Sequence, residues 1–381
     1  MLKLKFKIII LAVVAFTTAL FFTKSVVFAS EKSLTIIAGD KRYEFYNYEI
    51  GFYNNEYFLK NASAVIDGIF LDTVINPIES KVVFKDNGEF YLTQSKNGKQ
   101  IDKAALLNDV AHALNNGVQT VKAKFITTTP TVTKTALENQ TLLRAEFTTN
   151  HPYSSQERKS NIRLAASKIN GVKIGKNQEF SFNLTVGART EENGFKTAKV
   201  IVNGNYVDGV GGGVCQVSTT LYNAAILSGL KITEHHSHSL PVSYIEPSFD
   251  AMVNSGTSDL KIANNTESDV YISAVADSEK ITIKFYGTKQ NEKYKRVSVI
   301  TNTIAPEDTE EILDDTLPYG EKVIIEKPQN GLESEGYLIK YEDGVRVKSY
   351  KLRSDKYKAV RGKTLIGTLN PTLAFDNNLQ K

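Results

Sequence analysis

Tryptophan is absent from this 381-residue chain, and cysteine occurs once, at Cys215. Without Trp, an aromatic core must be built from the 19 Phe and 18 Tyr. A lone cysteine excludes an internal disulfide, which leaves the thiol for a partner or for reactivity. Strong charge of either sign is also missing: 46 Lys and Arg stand against 42 Asp and Glu, a formal net charge of +4. That balance gives no electrostatic case for nucleic-acid binding. At 41% hydrophobic and 23% charged the composition is that of a globular chain, long enough for two or three domains.

What is present begins with an export signal. Lys3, Lys5 and Lys7 form a basic start, residues 8–22 are a nearly unbroken apolar run, and Val27-Phe28-Ala29 supplies small residues for a signal-peptidase cut. Cleavage after Ala29 is expected. Retention as an N-terminal membrane anchor is the alternative, although the run before Lys24 is short for a span of about 20 residues. Either way, the rest of the chain is expected outside the membrane, in the cell envelope. A mildly basic surface suits an anionic wall.

The pattern is α+β and multi-domain. Residues 30–140 read as a small α+β unit. In it, residues 67–72 are expected to form a turn and then a strand, and residues 81–84 and 89–92 flank the hairpin turn Asp86-Asn87-Gly88. Asp102 is expected to cap a helix ended near Gly117. Residues 141–290 form a mixed segment with a helix over 154–169, a hairpin around Asn203-Gly204, and closing strands at 270–272 and 281–285. Residues 291–369 alternate strongly, carry the Asp343-Gly344 turn, and read as an all-β module, with a disordered tail over 370–381.

The middle segment carries the chemistry. A glycine run, Gly211-Gly212-Gly213, leads into Val214, Val217, Leu221, Ala224 and Ala225 at helical spacing, with Gly229 as a stop. Cys215 then lies on the first helical turn, where free N–H groups and the helix dipole favour the thiolate and offer oxyanion donors. The base is expected from the cluster His235, His236 and His238, with His236 and His238 on one face if this stretch is a strand and His235 turned to solvent. Asp250 or Asp259 would orient it, Asp250 being preferred. Gly213, Gln216, Ser218, Thr219, Tyr222 and Asn223 are candidates for substrate binding and the oxyanion site, though Ser and Thr there also cap backbone. The run lacks the Lys-Ser/Thr ending of a phosphate loop and dinucleotide spacing, so no cofactor is expected. Zinc held by Cys215, His236 and His238 is an alternative, but the spacing matches no standard zinc pattern.

Residues 211–224 closely resemble the VanW-domain family, cell-envelope proteins first associated with glycopeptide-resistance gene clusters. The resemblance extends through His238-Ser239, Pro241-Val242-Ser243-Tyr244, Asp250-Ala251, Asp259-Leu260-Lys261 and Asn264-Asn265-Thr266, and upstream to Asn161 and residues 180–183. It covers roughly residues 145–286. The preceding unit resembles a peptidoglycan-binding domain and the final one a G5-type domain. The resemblance implies peptidoglycan stem peptides and glycan as partners, and L,D-transpeptidase activity: Cys215 forms a thioester, releases the terminal D-alanine, and passes the acyl group to a neighbouring amine or to water. The alternative is a non-catalytic wall-binding protein.

Overall fold

The computed structural model describes residues 32–202 and 205–369. The expected leader, the hairpin turn at 203–204 and the tail lie outside the described residues. The fold is mixed α+β with several small sheets. The described residues divide into two compact units, one within 32–77 and 97–129 and the other within 78–96 and 130–369. The expected boundary near residue 140 therefore does not follow the division: residues 78–96, and the chain from Pro130 onward, group with the second unit.

In the first unit, strand Lys32–Ala38 is central, antiparallel to Lys41–Tyr46 and parallel to Thr120–Lys122. Helices Ala62–Thr73 and Lys103–Asn115 share a core with this sheet through Ile66, Ile69, Leu106 and Val110, which meet Leu34 and Ile36. Asp102 caps the second helix, accepting from Ala105 N at 2.9 Å. The strand expected at 67–72 is instead the end of the first helix. Gly68 lies on its open side and costs only helix propensity, while Ile66 and Ile69 gain burial.

In the second unit, a four-stranded sheet runs Leu142–Asn150, Lys280–Gly287, Val270–Ala276, Lys173–Ile174. Helices Gln156–Ile169 and Val214–Leu227 contribute to the same core. The latter is buried almost all round. Its polar side chains are buried because each bonds a neighbour. Gln216 Nε2 donates to Asn150 O, Thr149 and Thr220 pair their hydroxyls, Ser218 Oγ donates to Ala251 O, and Asn223 Nδ2 donates to Phe249 O. These bonds fasten the helix to the strand Leu142–Asn150 and to the loop 248–253.

The C-terminal part of this unit is all β: an antiparallel sheet of Lys293–Ile304, Gly331–Glu342 and Val345–Tyr357, and a second of Glu310–Pro318, Lys363–Leu369 and Lys322–Glu326. Its first sheet packs on the loop before Asp250. Ser248 Oγ bonds Ser334 Oγ at 2.7 Å, and a side chain at Gly336 would collide with the Ser248 carbonyl. Ser298 Oγ donates to Pro247 O at 2.7 Å.

Candidate active site

The glycine turn is shaped by close approach. Gly213 caps the helix at φ 106°, and a Cβ there would meet Arg158 and Ile162 at 2.9 and 3.0 Å. Asn161, fully buried, clamps the turn: its Nδ2 donates to Lys196 O and Gly212 O, and its Oδ1 accepts from Lys196 N. Cys215 follows on the first turn, partly exposed at the wall of a cavity of about 1050 Å³. Val214 N bonds Gly211 O and Gln216 N bonds Gly213 O, whereas the N–H groups of Gly213 and Cys215 have no acceptor among the described residues. Both residues line the cavity beside the sulfur.

His238 and Asp250 stand behind the thiol. Asp250 Oδ2 accepts from His238 Nδ1 at 2.7 Å and from His238 N at 2.6 Å, which fixes both the ring and its backbone. With Nδ1 held, Nε2 is the nitrogen left to face the sulfur, and each of the two groups shifts the titration of the other. Burial alone would lower the imidazole. The bonds and charges of Asp250 and Cys215 outweigh it and raise His238 to about 9. For the thiol, burial acts upward, but the bond and charge of His238, the Val253 backbone and the Arg189 charge bring it below its ordinary value. The pair therefore favours thiolate and imidazolium. The neutral thiol donates to Val253 O at 3.2 Å.

Asp250 is 1% exposed and is held from a second direction by the C-terminal β segment. Tyr357 Oη donates to Asp250 Oδ1 at 2.6 Å and accepts from Ser248 N at 2.8 Å. Arg353 Nη1 donates to Asp250 O at 2.7 Å, its Nη2 lies 3.4 Å from Oδ1, and Asp355 holds the guanidinium through Nε at 2.6 Å. Arg353 and Tyr357 share one face of the strand Val345–Tyr357. Burial pushes the Asp250 carboxyl up, and His238, Arg353 and Tyr357 together hold it below the usual range. Ser248 has φ 63°, an uncommon conformation for a residue with a side chain, and Tyr357 and Ser334 brace it.

Of the expected site residues, Cys215, His238 and Asp250 come together, and Gly213 and Gln216 line the same cavity. The others do not join them. The histidines follow the strand Lys231–Glu234 as a loop, so no strand places His236 beside His238. His236 bonds Glu234 at 3.0 Å and does not line the cavity. Nor is His235 turned to solvent: it stacks on Tyr222 at 5.6 Å, and burial followed by the Arg353 charge lowers it to about 4. Asp259 accepts from Ser181 Oγ at 2.5 Å and from the N–H groups of Asn183 and Leu260, a turn-fixing role. Ser218, Thr219, Tyr222 and Asn223 are at most 1% exposed and lie outside the cavity lining. Ser218, Thr219 and Asn223 spend their polar atoms on loop 248–253, the helix itself and, for Asn223 Oδ1, Arg296 Nη1, which removes them from substrate contact.

Sequence reasoning missed Arg353 and Tyr357, and also the cavity-lining Arg158, Arg189 and His151. His151 is 4% exposed with neither ring nitrogen bonded. No group of three or more His, Cys, Asp or Glu suited to a metal occurs among the described residues.

A cavity-wall cysteine next to a buried His–Asp pair supplies the groups that nucleophilic acyl transfer requires. Residues 157–286 match the family described as "VanW like protein", residues 295–368 the "G5 domain", and residues 27–122 the "Putative peptidoglycan binding domain". The chain thus carries a VanW domain between these two modules. It is 38% identical over 143 residues to "Uncharacterized protein YoaR" of Bacillus subtilis, covering 38% of this chain and 47% of that one. It is 29% identical over 144 residues to "Vancomycin B-type resistance protein VanW" of Enterococcus faecalis, covering 36% of this chain and 52% of that one. The match spans about half the length of these curated relatives. Among solved structures, the chain aligns with "IgA1 Protease G5 domain structure" at 16% identity and a TM-score of 0.16, over 22% of this chain and 96% of that one.

Proposed function

We propose that this protein is a cell-envelope cysteine acyltransferase acting on peptidoglycan stem peptides, an L,D-transpeptidase with hydrolysis as its side reaction. The observation that carries the reading is that Cys215 and His238 line one cavity, with His238 held by buried Asp250. The matched peptidoglycan-binding and G5 domains support an envelope location and a peptidoglycan partner.

The Cys215 sulfur attacks the carbonyl carbon next to the terminal D-alanine, and the oxyanion is met by the N–H groups of Gly213 and Cys215. The S–C bond forms, the C–N bond breaks, and His238 gives the proton taken from the thiol to the leaving amine. A second stem's amine then attacks the thioester. The new C–N bond forms, the S–C bond breaks, and the amine proton returns through His238 to the sulfur. Asp250 keeps the imidazole oriented and stabilises its charged form.

The test is mass spectrometry of digested sacculi after incubation with the protein. New 3-3 cross-linked muropeptides should form with the native chain and vanish with Cys215→Ala. Equal products from both would remove the catalytic reading and leave wall binding alone.

A further inference from the structure

The cavity beside Cys215 is one-sided in charge. Arg158, Arg189, Lys199, Lys356 and Lys358 line it, and no Asp or Glu does among the described residues. The whole chain carries 46 cationic and 42 anionic side chains, so this is a local segregation. Two of the cations are neutralised nearby: Lys199 pairs with Asp208 at 3.1 Å and Lys356 with Glu333 at 2.9 Å. Arg158 bonds Ser154 Oγ at 2.9 Å.

Arg189 differs. It is half-buried, its Nη2 bonds the neutral Asn183 Oδ1, its guanidinium lies 5.8 Å from the centre of the Phe182 ring, and it makes no salt bridge among the described residues. Burial pulls its pKa down, and the Cys215 and Asp259 charges oppose this. A guanidinium taken out of water without a carboxylate is costly, and its planar fork fits a carboxylate in two-point contact. Lys358 is exposed at the same cavity with no side-chain partner among the described residues.

We propose that Arg189, with Lys358, forms a carboxylate subsite that reads the free terminal α-carboxylate of the acyl donor. This rests on the stem-peptide reading above and adds what selects the donor: an anionic peptide, held by its C-terminal charge while Cys215 attacks the preceding carbonyl. An amidated or extended C-terminus forfeits that contact.

The experiment measures binding, not turnover, in full-length Cys215→Ser protein by calorimetry. The probes are a synthetic tetrapeptide stem ending in D-alanine and the same peptide as its C-terminal carboxamide. The acid should bind at least about tenfold more tightly, and added salt should narrow the gap. In Cys215→Ser/Arg189→Gln the gap should fall to about twofold. Lys358→Gln, at an exposed position where refolding is not at issue, should narrow it about threefold. Equal affinity for acid and amide, or a gap that survives Arg189→Gln, overturns the proposal. The second result would leave Arg189 serving the thiolate alone. Because no thioester can form in this protein, a charge gap without wild-type turnover would count against the transferase reading and not against the subsite.

Discussion

Tyr357→Phe deletes one oxygen, about as small a change as the site allows. That oxygen donates to Asp250 Oδ1 at 2.6 Å and accepts from Ser248 N at 2.8 Å, both in a region closed to solvent. A hydrogen bond to a charged group contributes about 1.5–3 kcal/mol, and a stranded buried N–H costs about 1–3 kcal/mol. Arg353 remains on Asp250, and Ser334 remains on Ser248, so the loss should be near about 2–4 kcal/mol. That is below the about 5–15 kcal/mol stability of an ordinary domain, so the variant should fold. Its effect on chemistry follows from Ser248 and Asp250 lying on one loop. With Ser248 released, the carboxylate drifts and the imidazole with it, and a displacement of about 1 Å costs up to about 100-fold. We expect kcat/KM for stem-peptide turnover to fall about 10- to 100-fold with KM little changed, and neutral-pH alkylation of Cys215 to slow about threefold or more. Denaturant unfolding of the full chain checks the stability arm. Lowered stability with unaltered kcat and alkylation would refute the reasoning, because the C-terminal β segment would then brace the fold and not the site.

Three further outcomes follow from the same geometry. Iodoacetamide alkylation of Cys215 should persist below the ordinary thiol range, since His238 lowers its titration against the upward effect of burial; His238→Ala should move the midpoint back up, and an unmoved midpoint would unseat His238 as partner. Acyl transfer should decline as pH rises through about 9, where His238 loses the proton it must deliver. Asp250→Asn removes the charge that helps raise His238, so that alkaline limb should shift to lower pH; a limb fixed in place would place the proton donor elsewhere. Gly213→Ala should lower stability by about 1–3 kcal/mol and slow Cys215 alkylation, because φ 106° strains any side chain and its Cβ meets Arg158 and Ile162; native-like unfolding would contradict the cap assignment.

The parts of this site that are local in sequence were readable there. Glycines before a helical stripe place Cys215 on a first turn, and that is where it lies. The Asp102 cap and the hairpin at 86–88 are likewise set by neighbouring residues. Reading failed where tertiary contacts decide. Gly68 looked like a turn but sits on a helix whose other face is core. The polar residues 218–223 looked like a substrate wall, yet loop 248–253 covers them and takes their hydrogen bonds. Tyr357 and Arg353 reach Asp250 across 107 and 103 residues, a distance over which pattern and propensity are silent. The same holds for Arg189: a cavity lining without Asp or Glu among the described residues is a property of the fold alone.

Intact-protein mass spectrometry after mixing with a tetrapeptide stem, followed by peptide mapping, tests the central claim most directly. The account predicts a thiol-linked acyl adduct lighter than the donor by one D-alanine, confined to the peptide that contains Cys215 and discharged by an added amine. An unmodified Cys215 throughout turnover of that same peptide, or an adduct on another residue, would contradict it.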